Sequence, residues 1–121
     1  MRKPKLKRGE VYVGITLHDD KLRHLILLPG ATMANWKDAG AWAKKQGGVL
    51  PSRHDGLVLL KRAKKAFERE WYWLDEQPAF DPACAWCQHF GWGSQNNFPT
   101  GFVGLQVRAV RRVPILAGEG A

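Results

Sequence analysis

The run Glu10-Val11-Tyr12-Val13-Gly14-Ile15-Thr16-Leu17, the polar break His18-Asp19-Asp20-Lys21, and then Arg23-His24-Leu25-Ile26-Leu27-Leu28 decide how the fold begins. Val11, Val13, Ile15 and Leu17 alternate with Tyr12, Gly14 and Thr16, the two-residue period of a strand with one buried face. The short polar break predicts an antiparallel hairpin with a second strand over Arg23 to Leu28, ended by Pro29-Gly30.

Working outward, Asn35 with Asp38 three residues later is a helix start. Trp36, Ala39 and Ala43 then recur at helical spacing until Gly47-Gly48. After the extended Leu50-Pro51, Ser52 with Asp55 repeats the capping pattern ahead of Leu57, Leu60, Ala63 and Phe67, which predicts a second helix buried along that stripe. Lys61, Arg62, Lys64, Lys65 and Arg69 fall outside the stripe and form an exposed basic face. Trp71 to Leu74, Cys84 to Phe90 and Leu105 to Val113 read as closing strands. Between the last two, Gly91 to Gly104 reads as a glycine-rich loop whose Trp92, Asn96, Asn97, Phe98 and Phe102 are candidate partner-binding residues. The class expected is α+β, a twisted antiparallel sheet with two helices.

At 121 residues the chain fits one domain, expected over 9–115. Residues 1–8 form a basic arm with too little apolar surface to order itself, and 116–121 a flexible tail. The apolar runs, such as Leu25 to Leu28, are far too short to span a membrane, and nothing resembles the apolar region of a signal peptide. No membrane partner and a cytoplasmic location are expected. Nineteen Lys and Arg against eleven Asp and Glu give a net charge of +8, which favours polyanionic partners. Arg2, Lys3, Lys5, Lys7 and Arg8 of the arm join the helix face as candidate polyanion-binding residues.

Catalytic signals are sparse. Cys84 and Cys87 have the spacing of a redox pair or half of a zinc site, but both flanks read as strand. Residues three apart on a strand point to opposite faces, so the two sulfurs could neither bond each other nor share a metal unless a bulge intervened. His18, His24, His54 and His89 show no paired ligand spacing and read as turn or surface residues. Asp75 with Glu76 is an acidic pair better read as loop residues. Phosphate-loop, dinucleotide and nucleophile-elbow patterns are missing from the sequence. No cofactor, metal site or catalytic residue is expected.

One set of residues is less generic. Leu50-Pro51-Ser52-Arg53, Trp71-Tyr72-Trp73, Glu76-Gln77, Ala85-Trp86-Cys87-Gln88-His89-Phe90, Gly93-Ser94-Gln95 and Arg108-Ala109-Val110-Arg111-Arg112 follow one another as in a known family. The sequence resembles the bacterial and phage domain family of unknown function that includes the C-terminal domain of the Legionella collagen-like protein. The resemblance covers the last two-thirds of the chain, and the part upstream looks like the short stand-alone versions carried by phages and prophages. It implies a fold similar to C-type lectins and the formylglycine-generating enzyme. Trp71, Trp73, Trp86 and Val110 would then be framework, and the loops the binding surface. Leu74-Asp75 and Cys84 depart from the family pattern, so no pocket or cysteine chemistry carries over.

The function expected is a non-enzymatic recognition module, phage or mobile-element encoded, that binds a macromolecular partner, foremost a protein, through residues 91–104 and the basic face. The alternatives are a nucleic-acid-binding protein, or a small inhibitor of a host nucleic-acid-directed defence system, and last a thiol or metal protein using Cys84 and Cys87.

Overall fold

The computed structural model describes residues 2–116. Residue 1 of the arm and all but the first residue of the expected tail lie outside the described residues. β1 (Val11–His18) and β2 (Lys21–Leu27) form the expected hairpin. Asp19 and Asp20 turn it with φ of 51° and 60°, a left-handed pair that aspartate tolerates better than most side chains. β8 (Val110–Pro114) pairs antiparallel with the far side of β2, giving a three-stranded sheet in the order β1-β2-β8. β2 is therefore central and buries both faces, with Leu25 and Leu27 in one apolar cluster and Ile26 and Leu28 in the other.

The alternation expected of β1 fails beyond Val13. The register with β2 slips between Tyr12 and Gly14, so a bulge there reverses the faces that follow. Val13 is buried, but beyond the bulge Thr16 is the buried residue while Leu17 is exposed. Gly14 has φ of +149°, a conformation other residues rarely adopt, and Arg62 Cδ lies 3.1 Å from where a Cβ would stand, so the bulge favours glycine.

The second sheet has five strands in the order β3-β7-β4-β5-β6: β3 (Thr32–Ala34), β7 (Leu105–Val107), β4 (Trp71–Trp73), β5 (Cys84–His89) and β6 (Gln95–Pro99). The molecule is α+β with two helices, as expected, but its sheets are two and the larger is mixed, because β4 and β7 run parallel. Leu105 to Val113, read as one strand, is divided between the sheets. At the crossing Ala109 O accepts from Leu28 N and Arg108 Nη2 donates to Leu28 O. The segment read as a loop over 91–104 also contains β6, whose Gln95-Asn96-Asn97 carries no apolar signal.

α1 (Trp36–Lys45) is capped by Asn35, whose side chain accepts from Asp38 N. Its Ala39 and Ala43 pack over Trp73, Cys87 and Leu105 of the larger sheet. Full burial of a tryptophan such as Trp73 stabilises by about 4–6 kcal/mol before entropy is counted. α2 (Arg53–Arg62) begins in a complete capping box of Ser52 and Asp55. Its buried face is Asp55, Gly56 and Leu59 rather than the expected stripe, and Leu57 is 50% exposed. The shift has a polar cause. Buried Asp55 accepts from Arg112 of β8 at 2.6 and 3.0 Å and from Thr16 of β1 at 2.5 Å, which fixes the helix rotation. Beyond Arg62 the chain tightens into a 3-10 turn at Lys64–Ala66, and Phe67 returns to the core stacked on Phe90 at 3.9 Å.

Candidate partner-binding surface

β5 and β6 form a hairpin at one edge of the larger sheet. Its turn closes through His89 N to Ser94 O and Gly93 N to His89 O, with Gly93 at φ of +82°. His89 is only 6% exposed, which corrects its reading as a surface residue. Its Nδ1 accepts from the backbone N–H groups of Gly91 and Trp92, both at 3.0 Å, so the neutral ring must carry its proton on Nε2. The Trp92 indole stacks on that imidazole at 3.9 Å and 11°, yet remains 72% exposed. A large apolar side chain is thus held in one orientation while facing solvent.

Register places more rings beside it. Trp71 pairs with His89 and Phe98 with Ala85, so Trp71, His89 and Phe98 share the sheet face that α1 covers farther along. Trp71 lies edge-on to Trp92 at 5.9 Å and 5.4 Å from Phe98, which is 5.7 Å from Phe102. Phe102 is 46% exposed, and its ring covers Gly104, where a Cβ would come within 2.9 Å. The row Trp92, His89, Trp71, Phe98, Phe102 is continuous. Of the expected residues, Trp92, Phe98 and Phe102 come together and Asn96 lies on the same face. Asn97 does not, because it pairs with Trp86 on the opposite face.

The outer edge of β6 is poorly suited to pairing with another strand. Alternation turns the backbone groups of Gln95, Asn97 and Pro99 outward. The Asn97 N–H already donates to Asn96 Oδ1, Pro99 has no N–H, and Pro99 O accepts from Phe102 N. The face of the hairpin, not its edge, is the part open to a partner.

The other candidate groups are scattered. His24 is buried with its Nδ1 bonded to the Tyr12 hydroxyl at 2.9 Å, a second correction to the surface reading. His18 sits beside Asp19 in the hairpin turn, and His54 is exposed. Glu76 accepts from Arg53 N at the start of α2, whereas Asp75 lines a cleft of about 570 Å³ at the start of α1, so the pair diverges. Burial, with Glu76 nearby, raises the Asp75 carboxyl above its usual range. Cys84 and Cys87 are free thiols on opposite faces of β5. Burial pushes Cys87 up to about 12, and Cys84 is raised by burial and by its Asp81 partner. Among the described residues, no group of three His, Cys, Asp or Glu could hold a metal ion.

Trp73 and Val110 are fully buried, whereas Trp71 and Trp86 are half-buried. Over the Trp86 ring lies the Arg53 guanidinium at 3.6 Å. Arg53 also donates to Gln95 Oε1, and Gln95 donates to the Arg53 carbonyl and to Gln88 Oε1. Sequence reasoning missed this knot, and it missed the parts of Trp71 and His89 in the aromatic row. Only strand register could have revealed them.

The expected polyanion-binding residues Lys61, Arg62, Lys64, Lys65 and Arg69 are exposed, as are Arg2, Lys3, Lys5, Lys7 and Arg8. Three contacts place the arm against the body: Lys3 Nζ lies 5.0 Å over the Tyr12 ring, Arg111 donates to Lys5 O, and Lys7 N donates to Glu10. No helix among the described residues is long and apolar enough to cross a membrane. No family model matches the chain, and no curated protein matches it.

Proposed function

We propose that this chain is a non-enzymatic recognition module, of the mobile-element kind its sequence resembles, that seats a protein partner on the Trp92–Phe98–Phe102 face. A C-type-lectin-like arrangement is part of the same proposal, supported by the α+β class and by the motifs that carry the resemblance.

The observation that carries the reading is the fixed, exposed Trp92. An indole left in water has a solvation cost, and here it lies stacked on an imidazole that two backbone hydrogen bonds orient. A ring ordered beforehand loses little entropy on binding, the property expected of an interface anchor. The test is paired affinity capture with the wild-type chain and the Trp92→Ala and Phe102→Ala variants, followed by titration of the captured protein. Each substitution is expected to weaken binding by about 1–4 kcal/mol without changing the melting temperature. Equal capture and equal affinity for all three chains refutes the reading.

A further inference from the structure

We propose that the groove where the C-terminal end of α2 meets the edge strand β1 binds the phosphate backbone of duplex nucleic acid. The groove has a volume of about 450 Å³ and is lined by Lys61, Arg62, Lys64 and Lys65, with Val11 and Ala66 among its apolar contributors. Every polar side chain lining it is cationic. Among the described residues, no carboxylate lies within ion-pair distance of these four. Of the acids nearest in sequence, Glu10 is taken by Arg111 at 2.8 Å, and Glu68 and Glu70 do not line the groove.

The arm and the groove are linked through one residue of β1, since Lys3 and Arg62 both bear on Tyr12. Arg62 lies against Gly14 of β1, and its charge bears on the Tyr12 phenol, whose ring carries Lys3 at 5.0 Å. Cations in the last turn of a helix also offset its dipole, which accounts for Lys61 and Arg62. It does not account for Lys64 and Lys65, which stand beyond the α-helix on the 3-10 turn. That turn is fixed, because Arg108 Nη1 donates to Ala66 O at 2.8 Å.

The chemistry selects among polyanions. The floor of the groove is apolar, from Val11, Ala63, Ala66 and the lysine stems, but a protein partner also calls for mixed polar groups around such a centre, and the polar side chains here are all cationic, with no side-chain acceptor. Single strands are gripped through rings that stack on bases. Among the described residues no aromatic ring lines this groove. What remains is backbone contact without base reading, for which a duplex supplies the densest phosphates.

The test is fluorescence anisotropy of the full chain with a labelled duplex of about 20 base pairs, across a potassium chloride series, with single-stranded DNA and polyglutamate as comparison ligands. If all four groove cations touch phosphate, the slope of log affinity against log salt is about −3.6. The Lys61→Gln, Lys64→Gln, Lys65→Gln triple variant loses about 2.7 of that slope and at least roughly tenfold in affinity at low salt. The folded state is retained, with at most the small loss of stability expected from removing the helix-end charge of Lys61, since all three side chains are exposed. Trp92→Ala leaves duplex binding as it was, which keeps this proposal separable from the one above. No binding at low salt, an unaltered triple variant, or tighter binding of single strand or polyglutamate overturns it.

Discussion

Replacing Asp55 with asparagine tests the joint that holds α2 to the three-stranded sheet. The carboxylate is fully buried, and it accepts two bonds from Arg112, one from Thr16 and one from the Ser52 backbone. Asparagine keeps the volume but removes the charge, which leaves the nearly buried Arg112 guanidinium uncompensated. Breaking a buried pair in this way costs about 3–5 kcal/mol, whereas replacing both partners with apolar groups is close to neutral. The expected outcome in urea denaturation at neutral pH, followed by tryptophan fluorescence, is a loss of about 3 kcal/mol for Asp55→Asn. The double variant with Arg112→Met should recover most of it. Burial alone would raise the Asp55 carboxyl, but the bonds from Arg112, Thr16 and Ser52 outweigh it and hold the group below its usual value. A depressed carboxyl contributes stability above its unfolded pKa of about 3.9, and that contribution is lost as pH falls toward the folded value. The acid limb of the wild type should therefore be steeper than that of Asp55→Asn. A loss under about 1 kcal/mol, or a double variant no better than the single, would refute the argument.

Three further outcomes are expected. Gly48→Ala should destabilise by about 2 kcal/mol or more, because a Cβ there would stand 2.3 Å from Val110 O, whereas Gly40→Ala in the open middle of α1 should stabilise by about 0.5–1 kcal/mol; thermal melts of the two variants give opposite signs. Cys87, raised to about 12, should resist a thiol reagent at mildly alkaline pH until the chain unfolds, while half-buried Cys84 labels first; mass spectrometry of the labelled native protein separates them. The Glu10 carboxyl is held down to about 2, chiefly by its hydrogen bonds from Arg111, so its stabilising effect should be full above its usual value of 4.5 and decline steadily as pH falls from there to about 2; Glu10→Gln should remove that part of the acid titration of stability.

Local rules account for what was legible in the sequence. The hairpin turn at Asp19-Asp20, the Asn35 and Ser52 caps and the end of α1 before Gly47-Gly48 follow from neighbours a few residues apart, and the structure places them as expected, whereas α2 stops at Arg62, short of the stripe that runs to Phe67. Failures occur where a distant partner overrides the local pattern. Thr16 points inward because of a bulge whose glycine leaves room for Arg62. The α2 stripe rotates because Asp55 must meet Arg112, fifty-seven residues away. β6 was hidden because polar Gln95, Asn96 and Asn97 form an edge strand with little apolar burial to signal it. The site was half legible for the same reason. Exposed anchors such as Trp92 and Phe102 stand out by composition, but His89 and Trp71 join them only through strand register.

The residues on which the expected resemblance rests mostly point inward. Trp73 and Val110 lie in the core, Arg112 anchors Asp55, and Arg53, Trp86, Gln88 and Gln95 tie the start of α2 to β5 and β6. Gly56, beside that knot, has no room for a Cβ against Gln88 Oε1 at 2.8 Å. These residues dictate how the second helix is clamped between two sheets, so a likeness among them speaks to fold and leaves the ligand open. The exposed rings of Trp92 and Phe102, the half-buried Phe98, and the groove cations Lys61, Lys64 and Lys65 all fall outside those motifs. Two framework residues, His89 and Trp71, nevertheless support the anchors directly. A clamp that orients whatever side chain follows His89 lets the rim change without disturbing the core. On the proposed function, specificity belongs to the exposed positions 92 and 102, and changing both should alter the partner while the melting temperature holds, whereas Phe98, half-buried against the core, also carries stability.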